Sequence, residues 1–147
     1  MDKSAAVLVT AMAGGLVALQ APINSMLGRT VGSLPAASMS FAIGLAALVA
    51  ITLLAGGGFG SVGEAGDLSW YYLTGGLLGA IYVTTVLIAV RTLGAGGVTA
   101  ATIAGQLTLS VVVDRLGVLG LDERPLSLSR VIGVALLAGG TFLVVRG

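Results

Sequence analysis

The chain predicts an all-α membrane protein with five transmembrane helices, and three observations carry that prediction. Seven basic and six acidic side chains all fall outside five apolar stretches: Ala5–Gly28, Leu34–Leu54, Leu68–Val90, Leu93–Val113 and Val131–Val145. Charged residues make up 9% of the chain and hydrophobic residues 56%, where an average soluble domain has about 25% charged. The mean hydropathy is +1.09, so a water-soluble fold would expose far too much apolar surface. A bilayer core of ~30 Å takes roughly 20 apolar residues in a helix, and four of the stretches reach that length.

The expected spans are residues 5–28, 34–55, 68–90, 93–113 and 126–146, forming one domain over residues 1–147. The first span begins like a signal peptide, with Met1-Asp2-Lys3 before an apolar run and small residues at Ala11-Met12-Ala13. Its apolar run continues to Leu19 and carries Gln20, Pro22 and Asn24. Cleaved signals have shorter apolar cores, so this one is expected to stay as a span. The last stretch is short. Leu126–Ser129 extend it, and Arg130 would reach the headgroups on its flexible stem. The connections are brief: Arg29–Ser33, the glycine-rich Ala55–Asp67, Arg91-Thr92, and Asp114–Pro125 with five charges. Helices suit such a chain because they satisfy their own backbone hydrogen bonds in lipid.

Small residues at helical spacing supply candidate packing faces: Ala42, Ala46 and Ala50 in span two, Gly75 and Gly79 in span three, and Ala135 and Gly139 in span five. Orientation is evenly balanced. Lys3, Arg115, Arg124 and Arg130 fall on one side, and Arg29, Arg91 and Arg146 on the other. Basic residues near helix ends normally set topology. Four against three sets none, so either the chain inserts both ways and pairs antiparallel with itself, or a partner or local sequence detail fixes it.

Composition also excludes function classes. The chain has no cysteine and no histidine. That removes disulfides, thiolate chemistry, most zinc and copper sites and Ser-His-Asp triads; no metal or other cofactor is expected. A net charge of +1 without clustered Lys and Arg gives no footprint for nucleic acid. No Asp, Glu, Lys or Arg lies near the middle of a span, so there is no deep titratable group for an enzyme. The same absence favours a neutral, or only peripherally charged, substrate.

The uncharged polar residues inside the spans remain. Pro22 lacks an N–H and crowds the carbonyl of Ala18, so a kink or break is expected there. Gln20 and Asn24 flank it on one helical face. A polar, broken helix near mid-membrane is a recurring substrate-site device of transporters; alternatively both amides bond to neighbouring helices. Span four carries Thr99, Thr102, Gln106, Ser110 and Asp114 along one face. Such a face belongs against protein or water rather than lipid. Asp114, beside Arg115 at the helix end, is read as one of an interfacial ion pair, with coupling or gating as the sharper alternative. Trp70, Tyr71 and Tyr72 read as an interfacial belt. Tyr82 lies deeper and its hydroxyl needs a partner, and Ser40 and Gly44 could line the same space. Arg91 reads as an anchor at the end of span three.

One longer pattern joins these residues: Gln20-x-x-x-Asn24-x-x-Leu27-Gly28-Arg29-x-x-Gly32-Ser33-x-Pro35-Ala36-Ala37-x-x-Ser40-Phe41-x-x-Gly44. It resembles the YdcZ-like family of small bacterial inner-membrane proteins, in the drug/metabolite transporter superfamily. Trp70 with Gly75-Gly76 and Gly79-Ala80-x-Tyr82, then Leu93-Gly94-Ala95, Ala104-Gly105-Gln106-Leu107, Asp114-x-x-Gly117, Gly133 and Gly139-Gly140 extend the resemblance along essentially the whole chain. Ser69 stands where the pattern has proline. The resemblance implies one five-helix repeat of a transporter fold that pairs with an inverted copy, an antiparallel homodimer in the bacterial inner membrane.

The reading that follows is a secondary-active exporter of a small neutral or amphipathic molecule, working by alternating access, not an enzyme. Gln20, Asn24, Ser40, Tyr82 and Gln106 are the candidate substrate-binding residues, and Asp114 is the candidate for coupling or gating. The alternatives are a non-transporting membrane subunit of a larger complex, or a lipid flippase or scramblase.

Overall fold

The apolar stretches do become helices, and the polar breaks between them set where each helix ends. A computed structural model describes residues 2–55, 57–119 and 121–147. Four α-helices run α1 Lys3–Val31, α2 Ser33–Leu54, α3 Gly75–Leu116 and α4 Leu128–Arg146. Short 3-10 turns cover Val62–Asp67 and Trp70–Thr74, and there is no strand among the described residues. The third expected span therefore starts later than residue 68, and Trp70, Tyr71 and Tyr72 sit on a tight turn ahead of it. Their rings pack on one another, with the Tyr71 and Tyr72 centroids 4.5 Å apart.

All four helices are long and apolar enough to cross a membrane. The helical stretch containing α3 runs 47 residues, more than twice the roughly 20 that one crossing takes. Gly94, with φ 67° and ψ 170°, interrupts α3. Two arms of about 20 residues each result, so the crossings number four or five according to whether the arms are counted apart. The break lies three residues beyond Arg91, where the charge pattern alone had placed it.

The helices group into two compact units, residues 1–91 and 92–147. In the first unit, α1 opens with Asp2 as its cap, the carboxylate accepting from the Ala5 N–H at 2.8 Å. It then runs unbroken through Pro22. The break expected at Pro22 is absent. Proline removes one hydrogen bond, but a chain in lipid has no solvent partner for the further bonds a break would open. A single residue, Gly32 at φ 93°, turns the chain from α1 into α2.

Close packing in this unit rests on small side chains. Ala21, Asn24, Ser25 and Gly28 form the buried stripe of α1, and Ala36 and Ala37 that of α2. A Cβ placed on Gly28 would lie 3.6 Å from that of Ala36. The first arm of α3 packs antiparallel to α2. Phe41 covers Gly79, and Ala37, Val83 and Leu87 form a buried cluster with Tyr82 at its edge. The expected stripe Ala42, Ala46 and Ala50 is exposed, as are Ala135 and Gly139. Small-residue spacing recurs on several faces of these glycine- and alanine-rich helices, and it does not by itself choose among them.

In the second unit, α4 packs antiparallel to the second arm of α3. The Thr141 hydroxyl donates to the Ala100 carbonyl at 3.0 Å, and Val145 lies against Gly97. The connection closes tightly, with the Arg124 N–H donating to the Asp114 carbonyl at 2.8 Å and Arg115 paired with Glu123. Gly117, at φ 58°, has the Glu123 backbone 3.2 Å from where a Cβ would be. An alanine there meets both an unfavourable dihedral and a backbone that cannot swing aside. Gly117→Ala should cost about 1–3 kcal/mol, measured as a lower unfolding midpoint in detergent. Gly105→Ala, with open space around it, should leave the midpoint nearly unchanged.

Candidate functional site

Four of the predicted site residues lie in the first unit. Gln20 and Asn24 are four apart on α1, which places them on one face. Gln20 is half-buried, whereas Asn24 is 94% buried, at 6% exposure. The Asn24 Nδ2 has no hydrogen-bond partner. Ser40 is half-buried on α2, one turn beyond the buried Ala36 and Ala37. Tyr82 is half-buried against the Ala37–Val83–Leu87 cluster.

An unanswered buried amide is costly, because the desolvation of its donors is not returned by a bond. The penalty is about 1–3 kcal/mol. Three threonines of the spans behave differently. Thr52, Thr85 and Thr108 each donate back to the carbonyl four residues earlier, all at 2.8 Å. Their hydroxyls are satisfied within their own helices, whereas the Asn24 Nδ2 makes no such bond.

Gln106 and Asp114 belong to the second unit. Gln106 is exposed. With Leu109, Ser110, Val113, Asp114 and Leu121 it lines an open groove of about 300 Å³. The periodic polar face of span four thus opens outward at Gln106 and Ser110. Asp114 is an ion-pair member, though not with its neighbour: its carboxylate lies 3.2 Å from Nη1 of Arg130 on α4. Arg115 turns instead to Glu123.

A cluster that the sequence pattern did not single out surrounds Arg91. Its Nε donates to the Ser25 Oγ at 3.2 Å and its Nη2 to the Ser33 Oγ at 3.4 Å. The guanidinium crosses Gly28 so closely that a Cβ there would sit 2.9 Å from Nη2. Three helix ends meet at this point: the end of α1, the start of α2 and the first arm of α3 near its close. No carboxylate among the described residues pairs with Arg91; the ion pairs are Arg115–Glu123 and Arg130–Asp114. The available signal was the coincidence of Ser25, Gly28 and Ser33 at the ends of two spans with a lone arginine at the end of a third.

Apolar helices of spanning length, charges confined to their ends and amides held within them define a multi-pass membrane protein. The chain belongs to the family described as "Putative inner membrane exporter, YdcZ", whose model matches residues 5–143, and it is accordingly a multi-pass protein of the inner membrane. No curated protein and no solved structure matches it.

The orphaned amide gives a direct expectation. Replacing Asn24 with an apolar residue of similar size removes an unpaid desolvation, so Asn24→Val should hold the unfolding free energy constant or raise it by about 1 kcal/mol. An amide that bonded a neighbouring helix would instead show a clear loss on denaturant titration in micelles.

Proposed function

We propose that the protein is a secondary-active exporter of a small neutral or amphipathic molecule, working as an antiparallel homodimer by alternating access. The family is described as "Putative inner membrane exporter, YdcZ", which supports the export reading, and one observation supports the rest. Gln106 and Ser110 stand exposed in a groove within an apolar span. Polar groups at that depth face protein or a water-filled cavity rather than lipid. A second copy supplies both: it covers the groove, and the space between copies holds water and substrate. The near-even distribution of basic residues lets that copy insert upside down.

In this arrangement the two-fold axis lies in the membrane plane, so residues near mid-membrane meet their own counterparts. Gln20, Asn24, Ser40, Tyr82 and Gln106 line the cavity, and Asp114 sits toward its mouth as the candidate gate. Amides and hydroxyls orient a neutral substrate, and exchange of conformation between the two copies moves the opening from one side to the other.

The native chain has no cysteine, so single-cysteine variants report geometry cleanly. Gln106→Cys, near the middle of its span, should form a disulfide-linked dimer in native membranes. Ser61→Cys, at a helix-connecting loop, should not crosslink to itself, yet should react with an impermeant maleimide from both faces. A Ser61 crosslink or one-sided labelling would point to a parallel pair or a fixed orientation. For transport, counterflow of chloramphenicol, a neutral amphipathic probe, into proteoliposomes should exceed that of protein-free vesicles. Gln20→Ala and Gln106→Ala should each reduce it about tenfold, the loss of one or two desolvated hydrogen bonds. Full counterflow in both variants sinks the cavity assignment.

A further inference from the structure

The Arg91 cluster consists of donors. The guanidinium has five N–H groups and two are engaged, by Ser25 and Ser33. Each of those hydroxyls accepts from the arginine, which leaves its own proton to give. Neither serine donates back along its helix as Thr52, Thr85 and Thr108 do. The start of α2 leaves only the Ser33 and Leu34 N–H groups free, since Gly32 provides no side-chain cap, Pro35 has no N–H and Ala36 donates to the Gly32 carbonyl. The exposed guanidinium is held in place by two neutral oxygens and has no carboxylate partner among the described residues.

We propose that Arg91, Ser25 and Ser33 form a binding site for one oxyanion, a carboxylate or a phosphate group. Arg91 contributes the charge and a planar fork of donors, and the serines add hydroxyl donors beside it. Gly28 makes the site possible by leaving the space that the guanidinium crosses. The group has two sources, a water-soluble anion or a phospholipid headgroup at the helix ends, and one chemistry serves both. The site is built from contacts within residues 1–91 and concerns binding at rest, so it stands or falls separately from the transport cycle and from the dimer.

The full chain, purified in dodecyl maltoside, is followed by thermal unfolding while sodium phosphate or sodium acetate replaces sodium chloride at constant ionic strength. A second arm adds phosphatidylglycerol or diacylglycerol to the micelles. A saturable rise in Tm with phosphate or acetate identifies a soluble anion; a rise with phosphatidylglycerol alone, and none with diacylglycerol, identifies a headgroup. In either case Arg91→Ala should weaken the apparent affinity by about tenfold or more, and Ser25→Ala and Ser33→Ala by about three- to tenfold each. Gly28→Ala should weaken it too, by displacing the guanidinium. Arg29→Ala removes the same charge from the same helix end without touching the cluster, and should retain the response. Where Arg91→Ala does not fold, Arg91→Lys keeps the charge but cannot hold both serines, and should still lose affinity. No saturable response to phosphate, acetate or phosphatidylglycerol overturns the proposal, as does an equal loss in Arg29→Ala and the Arg91 variants.

Discussion

A hydrocarbon solvent offers no hydrogen bonds, and the structure of this protein depends on that constraint. Every backbone group in the apolar stretches must find its partner inside the chain, and an uninterrupted helix is the local solution. The constraint explains the continuity of α1 through Pro22. In water, a proline in mid-helix frees groups that solvent can satisfy. In lipid the surrounding turns keep their bonds, because any alternative leaves more of them unmade. It also explains why Thr52, Thr85 and Thr108 fold their hydroxyls back onto their own helices: the nearest carbonyl is the only acceptor a lipid-facing hydroxyl can reach.

Once hydrogen bonds are kept local, little remains to hold one helix against another. Lipid tails are as apolar as leucine, so association comes from close approach and a few polar contacts. The first unit shows the consequence. Its α1–α2 seam is made of Ala21, Asn24, Ser25, Gly28, Ala36 and Ala37, and many of its large hydrophobic side chains point outward. The second unit uses glycine against valine and one hydroxyl-to-carbonyl bond from Thr141. Asn24 lies within the first seam with its donor unspent, which is where the preference for local satisfaction fails.

The spans were legible in the sequence because charge confined to helix ends is a direct imprint of the solvent. Residues 5–28 and 34–55 map onto α1 and α2 within a few residues, and 126–146 onto α4. Gly94 rather than Arg91-Thr92 interrupts α3 because the break is set by backbone geometry: φ 67° is open to glycine at little cost. The packing faces were less legible. Ala42, Ala46 and Ala50 have the same spacing as a true seam, but the seam of α2 lies at Ala36 and Ala37, nearer the Gly32 corner that brings α1 and α2 together. Among candidate site residues, burial distinguishes Asn24 from Gln20, and no periodicity encodes that difference.

Arg91 illustrates why a charge at a helix end is ambiguous when read from sequence. Arg91 and Arg130 both occupy span boundaries, and both read as anchors. Arg130 meets the carboxylate of Asp114 across the second unit, an acidic partner within the chain. Arg91 meets Ser25 and Ser33, which orient it without cancelling it. Orientation costs side-chain entropy, and an anchor needs none, since a headgroup interface accepts an arginine in many rotamers. A guanidinium fixed by two hydroxyls over a glycine is organised for an acceptor that comes from outside the chain.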